Sequence, residues 1–560
     1  MKLYKKFFSK LRRVVPPILF LVVTYFIFMP CSLFLGNINE FAVDFVEVVP
    51  IVAAVSLIVF AVLIVFGFLL INEKAFNIYV TLIFGVALGF YVQGNFLNPK
   101  FGLLDGQTID WSTYMPETII SVIVWTACII VPQVLLYLKK DWIKLIRTWG
   151  SYALCAMQIT ALVVAIFTTK KTESDSVMIL KQDEFVLSSK ENIVVFIVDT
   201  LDGQYYDDII VADENEEYKT KLKDFTYYDN CVAGGAPTRC GVPAMLTGTT
   251  YEDLSQPYME YQAEAYKNSK LFKDLKKNNY AVKLFTEPIR VEGVDVEDVD
   301  NLVSAGEYEI SSFSGFGSLL YDITGFYAMP MPLKKYFWFY SGDFSKYVNA
   351  KEYDCGVYDF DDSLFYEEYK EQGITLEDDK NVFTYYHLRG AHPPYVSNEE
   401  LKEVPSEETS RAQQTMGVFK LIYEYIDEMK EEGVYDNSTI IIAGDHGETQ
   451  LYQHASILVK KKNEHKEYTI NSSPVMFDNL YATFASAFLD DYSSYGEALE
   501  DVKDEPRDRY HTTHIVARYY LKDDEDVQES EYARFCFKGH ARDMSQCIKV
   551  SSTNTAIKQK

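Results

Sequence analysis

Hydrophobic positions along the chain follow two patterns. Up to residue 169 they gather into five near-continuous runs, about Val14 to Gly36, Pro50 to Ile71, Phe76 to Leu97, Thr118 to Tyr137 and Trp149 to Thr168. Each reaches the roughly 20 apolar residues that cross a bilayer, and soluble core helices seldom recur at that length. The first run follows a basic start, as a secretory signal does. No small-residue cleavage site comes after it, so it is expected to stay as an anchor. Lys2, Lys5, Lys6, Lys10, Arg12 and Arg13 precede the first run, and Lys139, Lys140, Lys144 and Arg147 lie between the fourth and fifth. The positive-inside rule puts both clusters in the cytoplasm and everything beyond about Lys170 outside. The loop Asn98 to Glu117, with Asp105, Gly106, Asp110 and Trp111, is then expected at the outer bilayer surface, as a connector or a docking surface.

After Lys170 to Lys190, a polar stretch that reads as a linker, the apolar runs shorten and become rich in β-branched residues. Asn192 to Val198 (NIVVFIV), Tyr280 to Glu287, Val382 to His387 and Thr439 to Ala443 suit strands of a parallel sheet, with the most apolar of them buried on both faces. Between them lies helical spacing, in Ser269 to Asn278 and in Thr409 to Glu432 through Met416, Phe419, Ile422, Tyr423, Ile426 and Met429. Strands alternating with helices over about 300 residues predict a parallel α/β domain with chemistry at its strand ends. Val291 to Asp379 is acidic and aromatic without a regular period, and is expected to supply loops and helices around a substrate surface. Arg534 to Val550 reads as a closing strand pair and Ser551 to Lys560 as a disordered tail. The expected organisation is thus a five-helix anchor over 1–169, a linker over 170–190, an outer catalytic domain over 191–550 and a tail over 551–560.

Charge separates the two parts further. The chain carries a formal −27. Residues 1–169 hold 12 Lys+Arg against 8 Asp+Glu, so the remainder holds 41 against 72, a net of −31. Such acidity argues against nucleic acid as a partner. All eight histidines lie in the acidic part, between His387 and His540, which confines metal or acid–base chemistry to it.

Three of the strands end in candidate chemistry. NIVVFIV stops at Asp199, the third strand runs through His387 to His392, and the fourth runs into Asp445-His446. Any one of these is a commonplace turn. On a single sheet edge they make a metal site, because Asp and His are suitable ligands for Zn²⁺ or Mn²⁺. The stretch Gly234 to Gly248, GGAPTRCGVPAMLTG, brings Thr238 to a helix start, where unpaired N–H groups favour an anion. Read alone, Thr238 is a plain helix N-cap. Beside a divalent ion its hydroxyl becomes a nucleophile, and the combination describes phosphoryl or sulfuryl transfer.

The motifs NIVVFIVDT, PTRCGVPAMLTG, HLRGAHPPY and AGDHGE, in that order between Asn192 and Met476, resemble the alkaline phosphatase superfamily. Within it they are most similar to the membrane-anchored branch of lipoteichoic acid synthases and lipid A phosphoethanolamine transferases. The resemblance implies an extracytoplasmic α/β domain of alkaline phosphatase/sulfatase type behind the transmembrane helices. It implies one divalent ion, Mn²⁺ or Zn²⁺, held by Asp199, Thr238, Asp445 and His446, with Thr238 as nucleophile. The family's histidines near the substrate phosphate or a second metal map to His387, His392 and His454. Arg239, beside the nucleophile, is a phosphate-binding candidate that the family pattern does not require. Two departures stand out: Asp199 replaces the Glu frequent in the family, and the gap from His446 to His454 is shorter.

The implied reaction moves a phospho-head group, of phosphoglycerol or phosphoethanolamine type, from a membrane phospholipid to a surface glycan or glycolipid. Phosphothreonine is the intermediate, and His392 or His387 stabilises charge or carries a proton. A phosphodiesterase or sulfatase of the same fold is the first alternative, and a non-catalytic membrane scaffold the second. The sulfatase arrangement C/S-x-P-x-R is absent, since Cys240 is followed by Gly241-Val242-Pro243-Ala244. Cys240 is expected as a small packed residue or a disulfide partner, Cys231 being one candidate. His511 and His514, in the polar HTTH, are expected on a surface strand or loop, and His465 in solvent.

Overall fold

The computed structural model describes the chain except residues 1, 100, 102–108, 110, 141, 171–176, 213–215, 305–307, 338, 340, 352, 354, 448–453, 523–524 and 559–560. It folds as two compact units. One is Met1–Ser174 together with Gly306–Asp354, and the other is Asp175–Ala305 together with Cys355–Lys560.

The first unit holds five helices long and apolar enough to cross a membrane: Phe7–Gly36, Phe45–Leu69, Glu73–Phe96, Trp111–Tyr137 and Trp142–Thr168. All five expected runs lie within them or overrun them by one or two residues. Where side chains between spans are polar, they pair, as a low-dielectric interior demands. Thr24 Oγ1 donates to Gln158 Oε1 at 3.0 Å, and Gln93 Oε1 accepts from both Ser121 and Trp125. Asp105, Gly106 and Asp110 of the expected surface loop lie outside the described residues. Trp111 opens a short turn, Trp111–Tyr114, at the start of the fourth span.

The domain boundaries differ from expectation in three places. Val177–Ile179 pairs with Leu302–Ser304, and Val186–Ser188 pairs with Thr375–Glu377, so the supposed linker contributes two short strands to the second unit. Residues Gly306–Asp354 leave that unit and fold with the apolar helices. Their helix Phe313–Ala328 is 16 residues long, too short to register as a span. The expected disordered tail is instead the end of a strand, Cys547–Lys558.

The second unit is built on an eight-stranded sheet. We number the strands that matter below β1 (Asn192–Val198), β2 (Thr226–Val232), β3 (Gly235–Ala236), β4 (Tyr280–Phe285), β5 (Asn381–Leu388), β6 (Ser438–Gly444), β7 (His454–Lys460), β8 (Thr469–Asn471), β9 (Val475–Met476), β10 (Arg509–Lys522), β11 (Glu525–Phe537) and β12 (Cys547–Lys558). The sheet order is β8-β2-β7-β6-β1-β5-β4, with β9 beside β2. Only β7 runs against the others. A second sheet, β12-β11-β10-β3, carries β3 on its edge, and β3 leads into the helix that begins at Thr238.

β1 is buried along its whole length, as its unbroken apolar sequence requires. Its neighbours are in register at the end that matters: Val198 lies opposite Leu388 of β5 and Gly444 of β6. Asp199, His387 and Asp445 therefore emerge on one edge. Gly444 permits the turn there, because a Cβ at this position would come within 2.1 Å of the Leu201 carbonyl oxygen. Gly444→Ala is therefore expected to cost about 1–3 kcal/mol. A lowered thermal midpoint checks this, and an unchanged midpoint would refute the close approach.

Candidate active site

Asp199 and Asp445 are fully buried at the shared sheet edge. Their geometry begins with Thr200, which sits in the left-handed region with φ 62°. That turn lets the Thr200 N–H donate to Asp445 Oδ1 at 2.8 Å while its hydroxyl donates to Asp199 Oδ1 at 2.9 Å. The other oxygens, Asp199 Oδ2 and Asp445 Oδ2, and His387 Nε2 are buried without a hydrogen bond among the described residues. One ligand atom from each of Asp199, His387 and Asp445 falls in a group whose members are all within 4.8 Å of one another.

Thr238 opens the helix Thr238–Thr247, but Pro237 is the residue at its cap and no side chain caps it. The threonine hydroxyl is thus free of the bond that would have made it a plain N-cap. It lies 3.3 Å from His446 Nε2. The same nitrogen is 3.3 Å from Asp445 Oδ2 and 3.8 Å from Asp199 Oδ1. His446 Nδ1 donates to the Gly447 carbonyl at 2.7 Å, which leaves the Nε2 lone pair facing these oxygens. A tetrahedral ion with bonds of about 2.0–2.1 Å separates its ligand atoms by about 3.3–3.4 Å. The two 3.3 Å separations, Thr238–His446 and His446–Asp445, meet that spacing, the 3.8 Å from His446 to Asp199 exceeds it, and His387 joins the two carboxylates in the group that could hold an ion. The helix packs closely here: a Cβ on Gly241 would come within 2.2 Å of the Asp445 carbonyl oxygen.

The structure separates the other predicted histidines. His387 is fully buried, with Nδ1 3.1 Å from the Thr286 hydroxyl and Nε2 3.7 Å from Asp199 Oδ2. His392 is half-buried and lies close enough for its charge to act on Asp199. Its loop is pinned by Asp362, which accepts from the Arg389 and Gly390 N–H groups at 2.8 and 2.9 Å. Burial pushes the Asp362 carboxyl up to about 6, against the pull of those two bonds. His454 instead donates from Nε2 to the Asp229 carbonyl at 2.6 Å and has His540 as an aromatic neighbour, outside the Asp199–His387–Asp445 group. The Arg239 guanidinium stacks over the Tyr258 ring at 5.6 Å.

Two groups escaped sequence reasoning. Arg290 follows β4, held by Glu287 through Nε and Nη2 at 2.8 and 2.7 Å, with Nη2 3.6 Å from Asp199 Oδ2. Burial opposes the charge of Asp199, yet His392, His387 and Arg290 overcome it and hold the carboxyl well below the usual carboxylate range. A guanidinium so placed is also a fit receptor for phosphoryl or sulfuryl oxygens. The available signal was the Glu-x-x-Arg that ends a fourth buried strand. His511 was expected at the surface and is fully buried. It lies in β10, whose pairing with β3 explains this. Its Nδ1 donates to the Ala233 carbonyl at 2.6 Å, and Nε2 is buried without a hydrogen-bond partner. Burial, the Ala233 bond opposing, and the nearby His446 bring its pKa down to about 3, so it stays neutral. The side chain of His514 lies outside the described residues.

Cys231 and Cys240 are free buried thiols, so the disulfide reading falls. Cys240 packs with Tyr251 and Tyr261, and burial pushes its thiol up to about 12, against Arg239. Such a thiol is no nucleophile at neutral pH.

A family model described as Sulfatase matches residues 191–473. No curated protein matches the chain in sequence. Among solved structures, the C-terminal periplasmic domain of phosphoethanolamine transferase EptC from Campylobacter jejuni is 16% identical, with a TM-score of 0.33, covering 57% of this chain and 97% of that one. The phosphonate monoester hydrolase SpPMH from Silicibacter pomeroyi is 12% identical, with a TM-score of 0.36, covering 66% and 89%. The PsFucS1 sulfatase from Pseudoalteromonas sp. is 13% identical, with a TM-score of 0.35, covering 66% and 84%.

Two outcomes follow from the geometry. Asp445→Asn should weaken divalent-ion binding by at least about 100-fold while His454→Ala leaves it unchanged, as measured by calorimetric titration with Mn²⁺ or Zn²⁺. Arg290→Gln should keep the metal but weaken inhibition by inorganic phosphate about 10–100-fold, the loss of one charge-assisted contact.

Proposed function

Since the chain belongs to the sulfatase family, we propose that it is a metal-dependent extracytoplasmic phosphotransferase. It moves a phospho-head group, of phosphoglycerol or phosphoethanolamine type, from a membrane phospholipid to a surface glycan or glycolipid. The observation that carries this is the Thr238 hydroxyl, uncapped and 3.3 Å from His446 Nε2 beside two buried carboxylates. The nearby thiol, Cys240, is buried in an aromatic cluster with its pKa raised, which disfavours a cysteine-derived nucleophile. Five candidate spans in the same chain support a lipid donor, since they keep the site with the membrane.

A divalent ion on this ligand set would lower the pKa of the threonine hydroxyl and offset negative charge on a phosphoryl oxygen. The residues do the rest. Thr238 Oγ1, as the alkoxide whose proton has passed to water, attacks the phosphodiester phosphorus, a new P–O bond forms to threonine, and the P–O bond to the lipid breaks. The departing lipid alkoxide takes a proton from His392, the half-exposed imidazole, while Arg290 holds the phosphoryl oxygens. An acceptor hydroxyl then gives its proton to His392 and attacks phosphothreonine, which restores Thr238. His387, locked against Thr286, keeps Asp199 oriented.

A hydrolase of the same fold would use water in the second step. The two separate when a labelled phospholipid is incubated with the enzyme, with and without glycan: label on the glycan supports transfer, and release of free phospho-head group only supports hydrolysis. Thr238→Ala is expected to lower turnover by about 10³-fold or more with folding intact. Mass spectrometry of protein from its native membrane should find an adduct on Thr238, and its mass names the group. Full activity in Thr238→Ala would overturn the assignment.

A further inference from the structure

Gly306–Asp354 belongs in sequence to the interior of the sulfatase match, yet it packs into the apolar helices. The strands Tyr308–Ile310 and Val348–Ala350 pair at its neck. Between them the helix Phe313–Ala328 carries one charged residue, Asp322, in 16. Its packing reaches well below the ends of the spans. Tyr321 Oη donates to the Phe26 carbonyl at 3.0 Å. That carbonyl lies in a π-helical turn, Val22–Phe28, and also accepts from Ser56. Phe26 is ten residues before the end of the first span at Gly36, a rise of about 15 Å, which is half of a ~30 Å hydrocarbon core. Beyond the helix, the Met331 N–H donates to Ser121 Oγ at 3.1 Å, and Ser121 is six residues, about 9 Å, into the helix that starts at Met115. Phe316 and Leu320 pack with Phe34, Val48 and Ile51, while Ala328 joins the core of the first and third spans.

Among the described residues of this segment, four large apolar or aromatic side chains remain exposed: Phe313, Tyr327, Leu333 and Tyr336. The helix is too short to span and too deep to lie on top, and the Tyr321 hydroxyl and the Met331 N–H find their acceptors on the spans. We infer that Gly306–Asp354 is a re-entrant membrane element whose exposed apolar side chains contact phospholipid acyl chains in the leaflet at the Gly36 end of the helices. Lys335, over the Tyr336 ring at 5.0 Å, then stands at the headgroup level, where aromatic and basic side chains collect. This goes beyond the reaction proposed above and does not rest on it.

The test uses the full chain in vesicles of phosphatidylethanolamine and phosphatidylglycerol containing a phospholipid with a photoactivatable diazirine on its acyl chain. After illumination, adducts are mapped by mass spectrometry. Labelling of the 313–336 region at least roughly tenfold above that of the Met259 region, and similar to that of the second span, is the expected result. Adducts confined to the five spans, with 313–336 labelled no more than the Met259 region, would overturn it.

Discussion

Two carboxylates sealed from solvent on one sheet edge cannot both stay charged without cations beside them, and the catalytic unit is arranged around that demand. Asp199 and Asp445 leave adjacent parallel strands at the same level. The groups that face them arrive from separate elements: Arg290, with its fixed charge, after β4, His387 on β5 and His446 after β6. A slip of one residue between β1 and either neighbour would turn alternate side chains to the other face and disperse the set. Fully buried strands resist such a slip, because their packing on both faces specifies register. The long apolar runs are therefore part of the chemistry.

Much of this was legible in the sequence because it is local. NIVVFIV, Val382 to His387 and TIIIA announce buried strands by composition, and the residue that ends each run is readable at once. Five spans are equally plain, since length and hydropathy alone define them. What was not legible depends on long-range pairing. HTTH looks polar and exposed until β10 is laid along β3, which buries His511 behind the Thr238 turn. His454 matches a family position by spacing, yet its imidazole is occupied by the Asp229 carbonyl. Arg290 sits in a short turn whose sequence has no period, and only the three-dimensional edge shows that its charge meets Asp199. Helix Phe313–Ala328 falls below the length that identifies a span and lacks the isolation of one, so the acidic surroundings masked it.

Thr238 and Cys240 illustrate how burial chooses between neighbouring nucleophiles. The two are one residue apart from being adjacent, and both have chemical precedent in their favour. A helix turn places them about 200° apart around the axis, at ~100° per residue. The threonine hydroxyl looks onto His446, and the thiol looks into the tyrosines. A Gly at 241 lets that helix sit against the Asp445 backbone closely enough for the difference to matter.

The excursion of Gly306–Asp354 alters what a soluble version of this protein can be. Cutting the chain after the fifth span does not remove its membrane-loving surface, because 49 residues of it are threaded through the middle of the catalytic sequence. A truncation beginning near residue 175 would carry that apolar helix without the neighbours that cover it, and would be prone to aggregate. The pairing of Tyr308 with Ala350 offers a remedy, since it brings the entry and exit of the excursion to within a few ångströms of each other, the spacing of paired strands. A short Gly-rich bridge across that neck would excise the whole detour.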